Sequence, residues 1–470
     1  MKKLVKLVCI MLSFMCMIQT PIIYASHTAN PTNWPRGPKA SALTAESALV
    51  MEASTGLVLY EKKPDKKQYP ASITKIMTAL LVIENCSLDE IVTFSREAVY
   101  GIEAGSSHIA VEVGEKLTIE QCLYAIMLES ANEVCLGVAE HIAGSISGFV
   151  DMMNARAKEL GCTNTHFVNP NGLHDNKHYT TAHDMALIAQ AAIANETFRT
   201  ITSTKKYTIP ATNKKEARSW IRNHHQMLTG FKYPKYLYEH CIGGKTGYTT
   251  KAQSTLVTFA EKDGMTLICV VLKDLGPSYA ANEYTDTTKL FEYCFNEFSL
   301  HSIAEGSNSD YSSSSLFTKY SGLLNTESPL IYIDKNTNLV LPKSASLEDV
   351  KQDIVYNGET SFQEGQNIIG SITYTYKDKV VGTGNIIYET GAITQLTTNT
   401  NISANTETIP LNKSFYLDEK QIIMVIGIVI IGFGVVYYVF IIQQRRKKSN
   451  YNRQRRNNYF SNHHNYDDYE

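Results

Sequence analysis

Tyr69-Pro70-Ala71-Ser72-Ile73-Thr74-Lys75 is the stretch from which the rest of the chain can be read. Pro70 suits the first turn of a helix, where a missing N–H costs nothing. Behind it Ile73, Ile76, Met77, Leu80 and Leu81 recur at helical spacing and predict a buried stripe. Ser72 and Lys75 stand three residues apart, so their side chains leave the helix close together on one side. A serine hydroxyl is a poor nucleophile until a neighbouring base takes its proton. A lysine serves as that base only where burial or a second cation holds it neutral. A helix start also aims backbone N–H groups at a developing oxyanion. Alone the tetrad is weak, because about one or two Ser-x-x-Lys matches arise by chance in a chain of this length. Ser203-Thr204-Lys205-Lys206 is such a match, and a solvated surface is expected there.

Company separates Ser72 from that decoy. Ser130-Ala131-Asn132 follows the apolar-rich run 122–128 and offers a second hydroxyl for proton relay and a carboxamide for a substrate amide. It has its own decoy, Ser403-Ala404-Asn405, in a Thr/Asn-rich spacer. Lys245-Thr246-Gly247 has no second copy and sits at the end of an expected strand, after Gly243-Gly244. There a cation and a hydroxyl can grip a carboxylate, and Gly247 lets an edge-binding peptide approach the backbone.

Composition supports an ordinary folded protein. Of 470 residues, 43% are apolar and 19% charged, which excludes a largely disordered or fibrous chain. The formal net charge of −2 hides an uneven spread: +3 over residues 1–25, +4 over 443–470 and −9 between them. An acidic body with basic ends argues against nucleic-acid binding. It suits a chain sorted across a membrane. Lys2, Lys3 and Lys6, the apolar run from Leu7 to Ile18, then Pro21 and Ala25, have the layout of a secretory signal peptide, residues 1–25. Ile422 to Ile442 is 21 uncharged residues, about 31 Å as a helix, followed by Arg445, Arg446, Lys447 and Lys448. The positive-inside rule puts the tail 443–470 in the cytoplasm and the body outside. The seven cysteines beyond the signal show no pairing pattern, so no disulfide framework is expected. No H-E-x-x-H spacing joins His166, His174, His178, His183, His224 or His225, so no metal site is expected either. Asp184 reads as a helix cap or hydrogen-bond anchor.

Between the ends, residues 26–45 form a Pro-containing lead-in. A hairpin is expected over 47–60 with its turn at Ala53-Ser54-Thr55-Gly56, and helices from Pro70 to about Asn195. Strands return at 241–247, 254–260 and 265–272, then a helix at 284–298. Strands from both ends of a segment with helices inserted between them predict an α/β or α+β sandwich, not a doubly wound fold. A polar linker is expected at 301–315. Short strands at 330–333, 338–341, 353–356, 368–376 and 380–388 predict a small all-β domain over 316–394. A Thr/Asn spacer, 395–421, leads to the span.

The three motifs, in this order within one segment, resemble the penicillin-binding protein and serine β-lactamase superfamily, where they line one cleft. Gly105-Ser106-Ser107, the stretch Thr165 to Leu173, Tyr179 to Met185 and Gly244 to Thr249 narrow the resemblance to the low-molecular-weight D-alanyl-D-alanine carboxypeptidases. It is strong over 47–272 and weaker through the β-rich part, at Gly365 to Gly370. It implies an α/β (α+β) serine β-lactamase-like transpeptidase domain over 46–300, an antiparallel sheet flanked by helices, and no cofactor. It implies that Ser72 attacks the penultimate D-alanine carbonyl of a peptidoglycan stem peptide, with Lys75 as base. Ser130 would relay a proton, Asn132 would hold the substrate amide, and Lys245 and Thr246 would bind the terminal carboxylate. Gly247 would line the cleft, and the N–H groups of Ser72 and Tyr248 would form the oxyanion hole. β-Lactam antibiotics are the implied inhibitors. Ala131, Glu133, Tyr248 and Gln253 depart from the commonest family residues without removing a functional group. A β-lactamase, a D,D-endopeptidase and a non-enzymatic wall-binding or β-lactam-sensing module are the competing readings. No glutamate in 165–184 matches the deacylating one of class A lactamases.

Overall fold

In the computed structural model, residues 34–275, 281–303, 331–357, 363 and 365–389 are described. The sheet at the centre is built on three strands, Ala45–Glu52, Gln253–Lys262 and Met265–Asp274, that are buried almost continuously on both faces. β1 (Ala45–Glu52) and β2 (Val58–Lys62) form the expected hairpin, with Glu52 accepting from Thr55 N at 2.8 Å and Ser54 Oγ at 2.9 Å to fix its turn. Two short ribbons follow in sequence, β3 (Ile91–Thr93) with β4 (Lys116–Thr118), and β5 (Lys206–Ile209) with β6 (Arg218–Arg222). β7 (Cys241–Thr249), β8 (Gln253–Lys262) and β9 (Met265–Asp274) complete an antiparallel five-stranded sheet of order β2-β1-β9-β8-β7. β7 is therefore an edge strand.

Register decides what each face of the sheet buries. Leu49 pairs with Val270 and Val270 with Val257; Met51 pairs with Ile268 and Ile268 with Phe259. Those residues pack in one core with the helices α1 (Lys75–Asn85), α3 (Ile119–Leu128), α4 (Asn132–Ala143), α5 (Ile146–Glu159), α6 (Ala182–Ile193) and α7 (Glu196–Ser203); the short α2 spans Arg96–Tyr100. The alternate residues Ala48, Val50, Leu256, Leu267, Cys269 and Val271 face a second core. A single-residue slip would exchange the two sets, so register is strongly fixed. The one-turn helix α8 (Gln226–Thr229) and the long α9 (Asn282–Glu297) contribute to the second core, the latter through Leu290, Phe291, Cys294 and Phe295. Buried Asp286 of α9 accepts from Thr44 N at 2.7 Å and Ala45 N at 2.9 Å, which fixes the start of β1.

Beyond α9, β10 (Phe298–Ser302) pairs with β12 (Asn338–Pro342). A four-stranded antiparallel sheet has the order β11-β15-β14-β13, with β11 at Ile331–Ile333, β13 at Lys351–Tyr356, β14 at Gln366–Tyr376 and β15 at Lys379–Glu389. Its Ile372, Tyr374, Val381 and Ile386 join the second core beside α9. The expected helix to residue 298 stops at Glu297, and the chain continues as a strand through 302, whose last two residues lie in the stretch expected to be a linker. The unexpected β5–β6 hairpin is held from outside, where buried Arg218 clasps buried Glu115 in two contacts of 2.8 and 2.9 Å. The expected signal peptide, the spacer and the span at 422–442 with its basic tail lie outside the described residues. Among the described residues no helix is long and apolar enough to cross a membrane, and all seven cysteines are free thiols.

Candidate active site

Two pieces of backbone strain mark the site. Ala71, immediately before Ser72, has φ +52°, and Ser130 has φ +61°, conformations that cost a residue with a Cβ on the order of 1–3 kcal/mol. The surroundings hold Ala71 there. Thr255 Oγ1 donates to Pro70 O at 2.8 Å, and Gly172, itself at φ +82°, lies so close that a Cβ there would stand 2.0 Å from Ala71 O. The result is a 3-10 turn, Ala71–Thr74, running into α1 at Lys75, with Ser72 at the turn. Buried Ile73, Ile76, Met77 and Leu80 bolt that element into the helical core. At roughly 1.5–3 kcal/mol per buried side chain this outweighs the strain of the turn.

Lys75 is fully buried and its Nζ has three neighbours: Ser72 Oγ at 3.1 Å, Asn132 Oδ1 at 2.7 Å and the main-chain carbonyl of Asn171 at 2.5 Å. Among the described residues no carboxylate is bonded to it. Burial lowers its pKa to about 8, with the surrounding thiol and carboxyl of Cys135 and Glu133 working in the opposite sense. Asn132 opens α4 and its N–H donates to Ser107 O at 2.9 Å, so the Gly105–Ser107 loop sets where the carboxamide points. Ser130, buried, lies two residues before it, and no hydrogen-bond partner for its hydroxyl occurs among the described residues. Glu129 ties this corner to the neighbouring hairpin, accepting from Arg222 N at 2.7 Å and meeting His224 Nε2 at 3.0 Å.

Strand β7 closes the other side. A Cβ added at Gly247 would stand 2.8 Å from Ser72 N and 3.1 Å from Ile73 N. Any side chain at 247 would therefore cover the Ser72 amide, and glycine leaves it open. Lys245 shares that face by the two-residue period of the strand. It is buried, its Nζ donates to Thr246 O at 3.0 Å, and its pKa is lowered to about 7, first by burial and then by the charge of Lys75. Two amines near enough to repel one another, with no carboxylate bonded to either among the described residues, are the electrostatic signature of the site. Thr246 is half-buried on the following position, and Tyr248 is 57% exposed.

The structure thus joins Ser72, Lys75 and Asn132 by hydrogen bonds, lays Gly247 against the Ser72 amide, and brings Lys245 within electrostatic range of Lys75. The decoy is dispersed: Ser203 ends α7 with its hydroxyl on Thr200 O, and Lys206 begins β5. Asp184 is a buried anchor, accepting from Asn164 N and Thr165 Oγ1 at 2.7 Å each. Sequence reasoning gave no role to Asn171, Gly172, Thr255 or Cys135. The motif Thr165 to Leu173 flagged the first two as a segment, but a backbone carbonyl and a close approach carry no side-chain signal. His178 was a bare histidine in sequence. It is buried, with Nε2 at 2.9 Å from Thr74 Oγ1 and Nδ1 accepting from Val168 N at 3.2 Å, so it props the turn in neutral form.

The D-alanyl-D-alanine carboxypeptidase family model matches residues 35–276. D-alanyl-D-alanine carboxypeptidase DacF of Bacillus subtilis is 32% identical over 330 residues, which covers 69% of this chain and 80% of that protein. DacA of Escherichia coli, also a D-alanyl-D-alanine carboxypeptidase, is 28% identical over 375 residues, covering 77% and 87%. In fold, penicillin binding protein 5 from Haemophilus influenzae superposes with a TM-score of 0.57 at 24% identity, across 76% of this chain and 98% of that one. With the matched segment spanning the sheet, the helical core and all three motifs, the chain belongs to the D-alanyl-D-alanine carboxypeptidase family of serine-type peptidases.

Proposed function

We propose that the chain removes the terminal D-alanine from peptidoglycan stem pentapeptides through an acyl-enzyme on Ser72, and that penicillins acylate the same oxygen. The observation that carries this reading is the set of partners around Lys75. A neutral amine has two N–H groups and one lone pair. The Asn132 and Asn171 oxygens can only accept, so they take the two hydrogens. The lone pair is left for the one neighbour able to donate, the Ser72 hydroxyl. Burial favours the neutral form, which meets the requirement for a general base.

In this reading Ser72 Oγ loses its proton to Lys75 as it attacks the penultimate carbonyl. The oxyanion settles against the Ser72 and Tyr248 N–H groups, reached through the gap that Gly247 leaves. Ser130, whose hydroxyl has no hydrogen-bond partner among the described residues, passes its proton to the departing D-alanine amine and takes in exchange the one held by Lys75, which becomes neutral again. Asn132 holds the substrate amide, while Lys245 and Thr246 take its terminal carboxylate. The peptide adds along the free edge of β7. Water then attacks the ester, Lys75 taking its proton and returning it to Ser72 Oγ as the shortened peptide leaves, so that both groups are regenerated.

The layout goes with that substrate. Residues 1–25 are proposed as a cleaved signal, 26–421 as the cell-wall side, 422–442 as a single span and 443–470 as a cytoplasmic tail, with the catalytic part at 46–300 and a β-rich domain at 316–394. This rests on the basic N-terminus, the 21 uncharged residues and the basic stop behind them. The test is D-alanine release from a pentapeptide by the full chain and by Ser72→Ala. The variant should lose at least about three decades of rate. Equal rates would end the proposal.

A further inference from the structure

We propose that Cys86, Glu90 and His141 form a site for one divalent transition-metal ion of the zinc class, at the C-terminal ends of α1 and α4. The Cys86 thiol, a Glu90 oxygen and a His141 ring nitrogen all lie within 4.8 Å of one another. Glu90 Oε2 and His141 Nε2 are 3.2 Å apart, close to the edge of about 3.4 Å that a tetrahedron with metal–ligand bonds near 2.1 Å requires. The thiol needs an inward movement of about an ångström to complete the set, within reach of a side-chain rotation. Glu90 is already aimed, because its other oxygen accepts from Ser87 N at 2.6 Å; a ligating carboxylate needs such an outer partner.

Two further features favour a cation there. Cys86 is the residue that ends α1, and His141 lies in the last turn of α4. Both helices therefore present their negative ends to the cluster. A thiolate and a carboxylate also cancel the two charges of the ion, with neutral imidazole as third ligand and water as fourth. On binding, the Cys86 proton leaves for solvent; no redox change is involved. The ion would tie together the far ends of the two helices whose other ends carry Lys75 and Asn132. Sequence spacing gave no hint, since His141 stands 51 residues beyond Glu90.

The test uses the full chain in detergent, stripped by a chelator, reduced, and titrated with Co²⁺ and then Zn²⁺. One cobalt per chain should give thiolate charge-transfer absorption and the visible bands of a tetrahedral ion, both lost on adding zinc. Cys86→Ser should lack the charge-transfer band, and Glu90→Gln and His141→Ala should bind at least about tenfold more weakly, as removal of a ligand demands. Cys162→Ser, which alters a half-buried thiol elsewhere, should behave as wild type. Zinc should raise the melting temperature of the wild type and leave that of Cys86→Ser unchanged. Fluorescent-penicillin labelling checks that each variant folds. No charge-transfer band in the wild type at equimolar cobalt overturns the proposal, and so does a band that survives in folded Cys86→Ser.

Discussion

Gly172→Ala tests how the site is held together, because it alters no group proposed to touch substrate. The position has φ +82°, and an ideal Cβ would lie 2.0 Å from Ala71 O, 2.5 Å from Ala71 C and 3.0 Å from Thr74 Oγ1. The left-handed backbone costs an alanine about 1–2 kcal/mol. Relieving contacts with backbone atoms, which cannot swing aside as a side-chain tip does, adds roughly 1–3 kcal/mol. The sum, about 2–5 kcal/mol, predicts a melting temperature lower by roughly 5–15 °C for a domain of this size. The relief must push Ala71, and with it Ser72, or push back the loop whose Asn171 carbonyl sits on Lys75. Displacement by about an ångström at reacting atoms costs about a hundredfold in rate. The assay is the rate constant of acylation by a fluorescent penicillin, read beside a melting curve. A variant that acylates at the wild-type rate with an unchanged melting temperature would refute the idea that Gly172 sets the serine turn.

Two further outcomes concern charge. Lys75, with a pKa lowered to about 8, acts as base only when neutral, so the share of chains able to take the serine proton should climb as pH rises through about 8. Lys245, lowered to about 7, grips a carboxylate only when charged, so that grip should fade as pH rises through about 7. For a pentapeptide kcat/KM should peak narrowly between the two, as a property of the coupled pair; a substrate without the terminal carboxylate should lose the alkaline decline, and a flat profile for both would contradict the assignment. Asn132→Asp puts a carboxylate where an amide oxygen now stands 2.7 Å from Lys75 Nζ. Opposite charge at that range favours the ammonium, so the rising limb of the pH–rate profile should move up by about one unit or more, and an unmoved limb would mean that Asn132 does not face the base.

Local pattern made much of this molecule legible. The apolar run from Ser47, its turn at Ala53-Ser54-Thr55-Gly56 and the second strand forecast the β1–β2 hairpin, whereas the division of Leu49 and Met51 from Ala48 and Val50 between two cores shows only in the folded chain. The stripe behind Ser72 forecast α1 equally well. What sequence could not carry is what depends on a distant partner. β5 and β6 are short, and their partners lie far off in the chain: Ile209 and Ile221 enter the helical core, Tyr207 stacks on Tyr124, and Arg218 reaches Glu115 some hundred residues away. β10 takes the last residue read as helix and reaches two residues into the stretch read as a linker, because β12 offers it a ladder. In the site, Ser72, Lys75 and Asn132 announce themselves by side-chain chemistry. Asn171 works through a carbonyl that every residue has, and Gly172 through the absence of a side chain beside Ala71. Such contributions become visible only once the chain is folded.

The central claim is that Ser72 is the oxygen activated by a neutral lysine. Its most direct test is peptide mass spectrometry of the full chain after treatment with penicillin. The account predicts one covalent penicilloyl group, on the peptide that contains Ser72, and none in Ser72→Ala. An adduct on another residue, or undiminished labelling of Ser72→Ala, would contradict it.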